Sequence, residues 1–161
     1  MIYWLTGQPG SGKTVLGNLL KDYLEDIKND KDNNRGYKVF RIDGDEMREL
    51  FANKDYSEKG RRANIDAAQK IAHYLHNQGK DVIVSLVSPY RDQREEFKNI
   101  LGEDIKEYFI HYDISQEKRG REHFHVKEYK VPTDNFTSIN TTKDSPLESL
   151  KIIVKEIDEK I

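Results

Sequence analysis

The 161-residue chain contains no cysteine, which removes disulfide frameworks, thiol nucleophiles and cysteine-ligated zinc together and fits a reducing compartment. It also lacks any long hydrophobic run. The opening Met1-Ile2-Tyr3-Trp4-Leu5 has neither the basic start nor the apolar length of a signal peptide, and no stretch resembles a membrane span. A soluble, cytoplasmic protein is the expectation. An excess of one charge is missing too: 27 basic residues face 29 acidic ones, a formal net charge of −2. No large field therefore exists to draw in nucleic acid or an anionic membrane. There is no internal repeat or low-complexity tract, and the length suits one domain over residues 1–161 with a single hydrophobic core.

What is present is an alternation of strand-like and helical patterning. Residues 2–5 read as a strand, followed by a glycine-rich loop and a helix with Leu16, Leu20, Tyr23, Leu24 and Ile27 at helical spacing. After a polar loop at 29–36, residues 38–43 form a second strand ending in Asp43-Gly44-Asp45. From Ser57 to Gly79, the spacing of Ile65, Ala68, Ile71, Ala72 and Leu75 predicts a helix. Residues 81–87 are a β-branched run suited to a central strand of a parallel sheet. Ser88-Pro89-Tyr90 breaks it, 91–101 is helical and 105–112 is strand-like, whereas the charged segment 115–130 has no clear period. A last helix starts with Ser145 as N-cap, Pro146 at the first helical position and Glu148 closing a capping box; Leu147, Leu150, Val154, Ile157 and Ile161 share one face. Such alternation predicts an α/β fold, a parallel sheet with helices on both faces and right-handed crossovers, binding ligands beyond the carboxyl ends of its strands.

Gly7-Gln8-Pro9-Gly10-Ser11-Gly12-Lys13-Thr14 satisfies the full G-x-x-x-x-G-K-S/T pattern between a predicted strand and a predicted helix. Glycines let backbone N–H groups turn inward around phosphate oxygens, and the helix start adds partial positive charge. Lys13 would reach the β and γ phosphates, and Thr14 would offer its hydroxyl to Mg²⁺. The chain is thus expected to bind ATP. The central strand carries no carboxylate at its end, so the acidic candidates are Asp43 and Asp45. They either divide the work between hydrated Mg²⁺ and the proton of an attacking hydroxyl, or form an acidic turn capping a helix that begins near Glu46.

Arg61 and Asn64 share a helix side with Ile65 and Ala68, and a basic and an amide group on a core-facing side suit an anionic or nucleotide acceptor. The turn Ser88-Pro89-Tyr90-Arg91 lies where binding loops sit, either with Arg91 toward phosphate or as a rigid turn. Tyr56 and Phe136 either stack a base or plug a surface gap. His123 and His125 have no third ligand at suitable spacing, so no zinc is expected. Lys118, Arg119 and Arg121 form either a lid closing on ATP or a solvated face.

Together these residues resemble the adenylyl-sulfate (APS) kinase family, small P-loop enzymes that use ATP to phosphorylate the 3′-hydroxyl of adenosine 5′-phosphosulfate. Gly7 to Thr14 is similar to that family's phosphate loop, and Asp43-Gly44-Asp45-x-x-Arg48 resembles its Asp-Gly-Asp-x-x-Arg motif. Tyr56-Ser57 with Arg61 and Asn64 resembles its Phe-Ser-x-x-x-Arg-x-x-Asn segment. Residues 83–91 are similar to the strand and Ile-Ser-Pro-Tyr-Arg turn that follow, and Phe136-Thr137 to a late Phe-Thr-Gly. The resemblance implies a three-layer P-loop NTPase fold with a short lid at 115–136. It further implies Lys13 and Asp45 as catalytic residues, with Asp45 the base at the acceptor hydroxyl, and Thr14 and Asp43 as the metal site. Arg48, Arg61, Asn64 and the Val87-Ser88-Pro89 turn would hold the acceptor, with Tyr56 and Phe136 sandwiching its base.

Departures concentrate on the acceptor side. Tyr56 stands for Phe, Val87 for Ile, Asp66 and Ala67 for an Arg pair, Asp134 for Lys and Ser138 for Gly, and only Lys127-Glu128-Tyr129 resembles the Arg-Asp-x-Lys-Gly-Leu-Tyr lid. A carboxylate in place of a cation beside an anionic ligand weakens its hold. The expected acceptor is therefore APS or, as in APS-kinase-like enzymes of capsule-modification pathways, cytidine diphosphoramidate. From another class comes a non-catalytic ATP-binding module that signals through loop order. The exposed amphipathic terminal helix suggests a homodimer.

Overall fold

The structure, a computed structural model, describes residues 1–31 and 36–158. Among these, five strands and five α-helices follow one another as β1 (Ile2–Thr6), α1 (Lys13–Lys31), β2 (Phe40–Asp43), α2 (Gly44–Leu50), α3 (Glu58–Asn77), β3 (Val82–Leu86), α4 (Arg91–Leu101), β4 (Ile105–His111), β5 (Thr137–Asn140) and α5 (Pro146–Asp158). All strand pairs are parallel and the order across the sheet is β2-β3-β1-β4-β5. The chain leaves β1, builds β2 and β3 on one side, then crosses to build β4 and β5 on the other. The order reverses at β1, and a crevice for ligands opens at the carboxyl ends on either side of it.

Each face of the sheet has its own core. Trp4, Ile42, Val82 and Val84 point to one side, where Ile65, Ala68 and Ala72 of α3 and Phe97 and Leu101 of α4 cover them. Tyr3, Leu5, Ile83, Tyr108 and Ile110 point to the other, against Leu16, Leu20 and Leu24 of α1 and Ile153 of α5. This is the period-two alternation of strands meeting the 3.6 period of helices. Every residue of β1 and β3 is buried, as expected for central strands covered twice.

The helical patterning carries through, with differences at the ends. α1 begins at Lys13 and runs to Lys31, so the loop expected from residue 29 starts later, and residues 32–35 lie outside the described residues. Ile161 of the terminal helix lies outside them as well. The capping box is present: the Ser145 Oγ accepts the Glu148 N–H at 3.2 Å, and the Glu148 carboxylate accepts the Ser145 N–H at 3.3 Å. A fifth strand, β5, was not expected. Of its four residues only Ile139 is buried, so a short edge strand leaves no apolar run to read. The lid segment after β4 holds one short 3-10 turn, Glu122–Phe124. Among the described residues no helix is long and apolar enough to cross a membrane.

Candidate active site

The phosphate loop joins β1 to α1. Gly7 lies so close to β4 that a Cβ there would run into the Ile110 carbonyl oxygen, and Gly12 has φ +107, a conformation that side-chain-bearing residues rarely adopt. The Lys13 ammonium donates to the carbonyls of Gly7 at 2.8 Å and Gln8 at 2.9 Å. Burial pushes its pKa down to about 7; the Arg121 guanidinium adds to that fall, while the Asp43 and Asp45 carboxylates oppose it. Lys13, Asp43 and Asp45 thus share one electrostatic site. Thr14 is exposed at the first turn of α1.

Asp43 has two roles. It ends β2, in register with Ser85 of β3, and its Oδ1 accepts the Asp45 N–H at 3.0 Å, making it the N-cap of α2. Its Oδ2 lies 3.7 Å from the Arg41 guanidinium. The acidic turn therefore does cap a helix, which begins at Gly44 rather than near Glu46, and capping leaves the Asp45 side chain unused. The hydroxyl of Thr14 and the carboxylate of Asp43 are hard oxygen donors of the kind Mg²⁺ takes. No group of three or more metal-ligating side chains occurs among the described residues, so such an ion would complete its shell with phosphate and water, which is how Mg²⁺ is usually held.

Among the residues expected to hold an acceptor, Arg48 donates to the backbone carbonyls of Asn53 and Asp55 and lies 4.0 Å over the exposed ring of Tyr56. Ser57 caps α3 by accepting the Gly60 N–H. Arg61 faces the lid, 3.9 Å from the Glu128 carboxylate. Asn64 is buried and its Oδ1 has no hydrogen-bond partner. Beyond β3, Ser88 holds φ +47, and its buried Oγ is also unpartnered. Buried polar atoms are normally satisfied, and these two are among seven described side-chain atoms that lack a protein partner. Tyr56 and Phe136 share no ring contact; Phe136 sits half-buried at the foot of β5. Arg91 turns from the phosphate loop and donates to the Val131 carbonyl at 2.8 Å.

Residues 119–126 lie against the phosphate loop, whereas residues 130–134 run along α4. Arg119 donates to the carbonyls of Gly10 at 3.1 Å and Ser11 at 3.2 Å and to the Thr141 hydroxyl at 3.0 Å, with its guanidinium 4.2 Å over the Tyr112 ring. The Gln8 amide clasps the backbone of Val126 with two bonds of 2.8 Å, and the His125 ring faces the Pro9 carbonyl at 3.0 Å. Partial desolvation raises the pKa of Glu122, but the Tyr112 hydroxyl and the N–H groups of Arg119, Arg121 and Gly120 outweigh it and hold the carboxyl down to about 2. Of the basic cluster, Arg119 is tied to the phosphate loop, while Lys118 and Arg121 are exposed. Beneath this segment a cavity of about 310 Å³ opens between Gln8, Phe109, His111, Tyr129 and Val131.

Sequence reasoning missed the groups that wire this site together: Thr6, Arg94, Glu107 and Tyr129. Arg94 had a legible signal, being a charged residue on the α4 face that also carries Phe97 and Leu101, three and seven positions on. Tyr129 had only its place in Lys127-Glu128-Tyr129, and Thr6 had none.

The chain matches the family described as adenylylsulphate kinase over residues 1–154. Among curated relatives, the adenylyl-sulfate kinase of Bacillus velezensis is 30% identical over 149 residues, which is 90% of this chain and 71% of the relative. The probable adenylyl-sulfate kinase of Synechocystis is 29% identical, over 98% of this chain and 87% of the relative. Among solved structures, the Mycobacterium tuberculosis APS kinase in complex with AMPPNP and APS superimposes with a TM-score of 0.77 at 22% identity, covering 98% of this chain and 96% of that one. A gluconokinase from Sinorhizobium meliloti shares the fold at a TM-score of 0.62 and 12% identity, covering 98% and 95%. The fold alone therefore leaves the acceptor open.

Proposed function

The chain belongs to the adenylylsulphate kinase family, a phosphotransferase family with alcohol acceptors, and from that premise we propose that it transfers the γ-phosphoryl of MgATP to the 3′-hydroxyl of APS. The observation that carries the reading is a complete phosphate loop between β1 and α1, its Lys13 held on the Gly7 and Gln8 carbonyls, with Asp43 and Asp45 at the carboxyl end of β2 in the same parallel sheet. Lys13 and the loop N–H groups hold the triphosphate. Asp45, its side chain free of the cap, takes the proton of the 3′-hydroxyl as the O3′–Pγ bond forms and the bond from Pγ to the β-phosphate oxygen breaks, releasing ADP. Arg48 and Arg61 bind the acceptor's anionic groups, Asn64 and the Val87 to Pro89 turn orient it, and Tyr56 contacts its base; Phe136, ahead of the amino end of β5 and level with the middle of β4, stands away from the carboxyl-end crevice and does not form the second wall that the resemblance implies. Thr14 and Asp43 would hold Mg²⁺, which neutralises phosphate charge when bound.

A second reading keeps this chemistry and changes the acceptor to cytidine diphosphoramidate. Its support is the lid carboxylate of Glu128 facing Arg61 at 3.9 Å, in a lid whose residues depart from the family pattern. ADP release measured with MgATP and each acceptor separates the two readings. Turnover with APS alone is the expected result, turnover with the cytidine compound alone transfers the proposal to the second reading, and silence with both contradicts the two together.

A further inference from the structure

We propose that Arg94 is a positioning residue that sets the acceptor turn and the root of the lid in one arrangement, so that the two walls of the acceptor pocket form together. The inference rests on reading residues 87–89 as acceptor-binding. Arg94 is 2% exposed in α4, and a charge so placed must be fully satisfied. Its Nε donates to the Glu107 carboxylate of β4 at 2.9 Å, its Nη1 to the Ser88 carbonyl at 2.6 Å and its Nη2 to the Lys130 carbonyl. One planar fork thus ties the sheet, the acceptor turn and the lid, a geometry that lysine's single ammonium cannot reproduce.

Ser88 needs such a tie. Its left-handed φ of +47 is unfavourable for a residue with a side chain, and its own hydroxyl makes no bond that would hold it. The conformation is imposed through the turn's carbonyls: Arg94 holds that of Ser88, and the Thr6 hydroxyl donates to that of Val87 at 2.8 Å. The same Thr6 hydroxyl meets the Tyr129 hydroxyl at 2.7 Å, and the Lys130 N–H donates to the Pro89 carbonyl at 2.8 Å. The turn and residues 129–130 are therefore bonded to each other directly as well as through Arg94. Lys98, paired with Glu107 at 2.9 Å, extends the anchor by donating to the Asp134 carbonyl at 2.7 Å.

The test combines steady-state kinetics with hydrogen exchange of segments 86–92 and 127–134 in the full chain. Arg94→Lys keeps a cation beside Glu107 but cannot hold both carbonyls. We expect it to raise the acceptor KM about tenfold or more, with the ATP KM within about twofold, and to speed exchange in both segments. Glu107→Gln leaves the guanidinium's carbonyl bonds in place, so it should lower thermal stability yet hold the acceptor KM within about threefold. An acceptor KM that tracks stability loss equally in the two variants, or faster exchange in one segment alone, overturns the proposal. If Asn64→Ala and Ser88→Ala leave the acceptor KM unchanged, it is the acceptor reading of the turn that falls. Exchange then judges the coupling by itself: joint release upholds it and release of a single segment overturns it.

Discussion

The two halves of the crevice are built differently. The phosphate side is eight consecutive residues running from the end of one strand into the first turn of one helix, its shape set by the local backbone and by the close approach of β4 to Gly7. The side proposed for the acceptor is gathered from α2, α3, the turn after β3 and residues 127–134, held by bonds between residues far apart in sequence, such as Arg94 to Lys130 and Thr6 to Tyr129. The first half leaves little freedom for a different ligand. The proposed walls of the second come from separate segments, so a substitution in one need not disturb the others. The departures from the family motifs concentrate in that second half, at Tyr56, Asp66, Ala67, Val87 and Asp134.

If the halves are separable, substitutions should divide cleanly between ATP and acceptor. The largest effect is expected at Lys13→Met, which should lower turnover about 10³-fold by removing a preorganised charge from the transferring phosphoryl group. The same change should raise the stability of the nucleotide-free protein, measured by denaturant unfolding, because a buried cation is gone. Asn64→Ala should raise the acceptor KM about tenfold and leave the ATP KM unmoved in paired titrations; equal rises in both would erase the division. Glu128→Leu removes an exposed ion pair worth about 0.2–1 kcal/mol, so the acceptor KM for APS should fall by no more than about fivefold. A large rise instead would make Glu128 a contact of the acceptor.

The pH dependence should separate the halves too. In the unfolded chain Lys13 titrates at its ordinary 10.5 and in the folded protein at about 7. Between those values the unfolded state binds more protons, so nucleotide-free stability should rise with pH across that window, the penalty being full below pH 7. Triphosphate restores the charge. ATP binding at pH 8 should therefore take up about one proton, read by calorimetry in buffers of different ionisation enthalpy, and Lys13→Met should abolish the uptake. Smallest is Ser145→Ala in the α5 cap, expected to cost about 1 kcal/mol of stability with kinetics unchanged.

The parts of the molecule legible in the sequence are those in which local pattern and global fold agree. β1 and β3 are apolar on both faces because helices cover them twice, and α5 declares itself through Ser145 and Glu148. The phosphate loop is legible because its chemistry is contiguous. β5 was hidden because a four-residue edge strand needs backbone partners more than apolar side chains. Asp43 offered two readings, metal ligand and helix cap, and its carboxylate does cap α2, with the second oxygen turned to Arg41. The wiring of the acceptor side was illegible for another reason. The bonds of Arg94 run to the carbonyls of Ser88 and Lys130, groups every residue possesses, so nothing in the side chains of those partners announces the contact.

The central claim is that Asp45 serves the acceptor hydroxyl while the phosphate loop holds ATP without it. Asp45→Asn, compared with the unchanged protein, tests it directly through ATP affinity by calorimetry and acceptor phosphorylation by ADP release. The account predicts an ATP Kd within about twofold and turnover lower by about 10²–10⁴-fold. Turnover retained within about tenfold, or ATP binding lost along with it, would contradict the assignment.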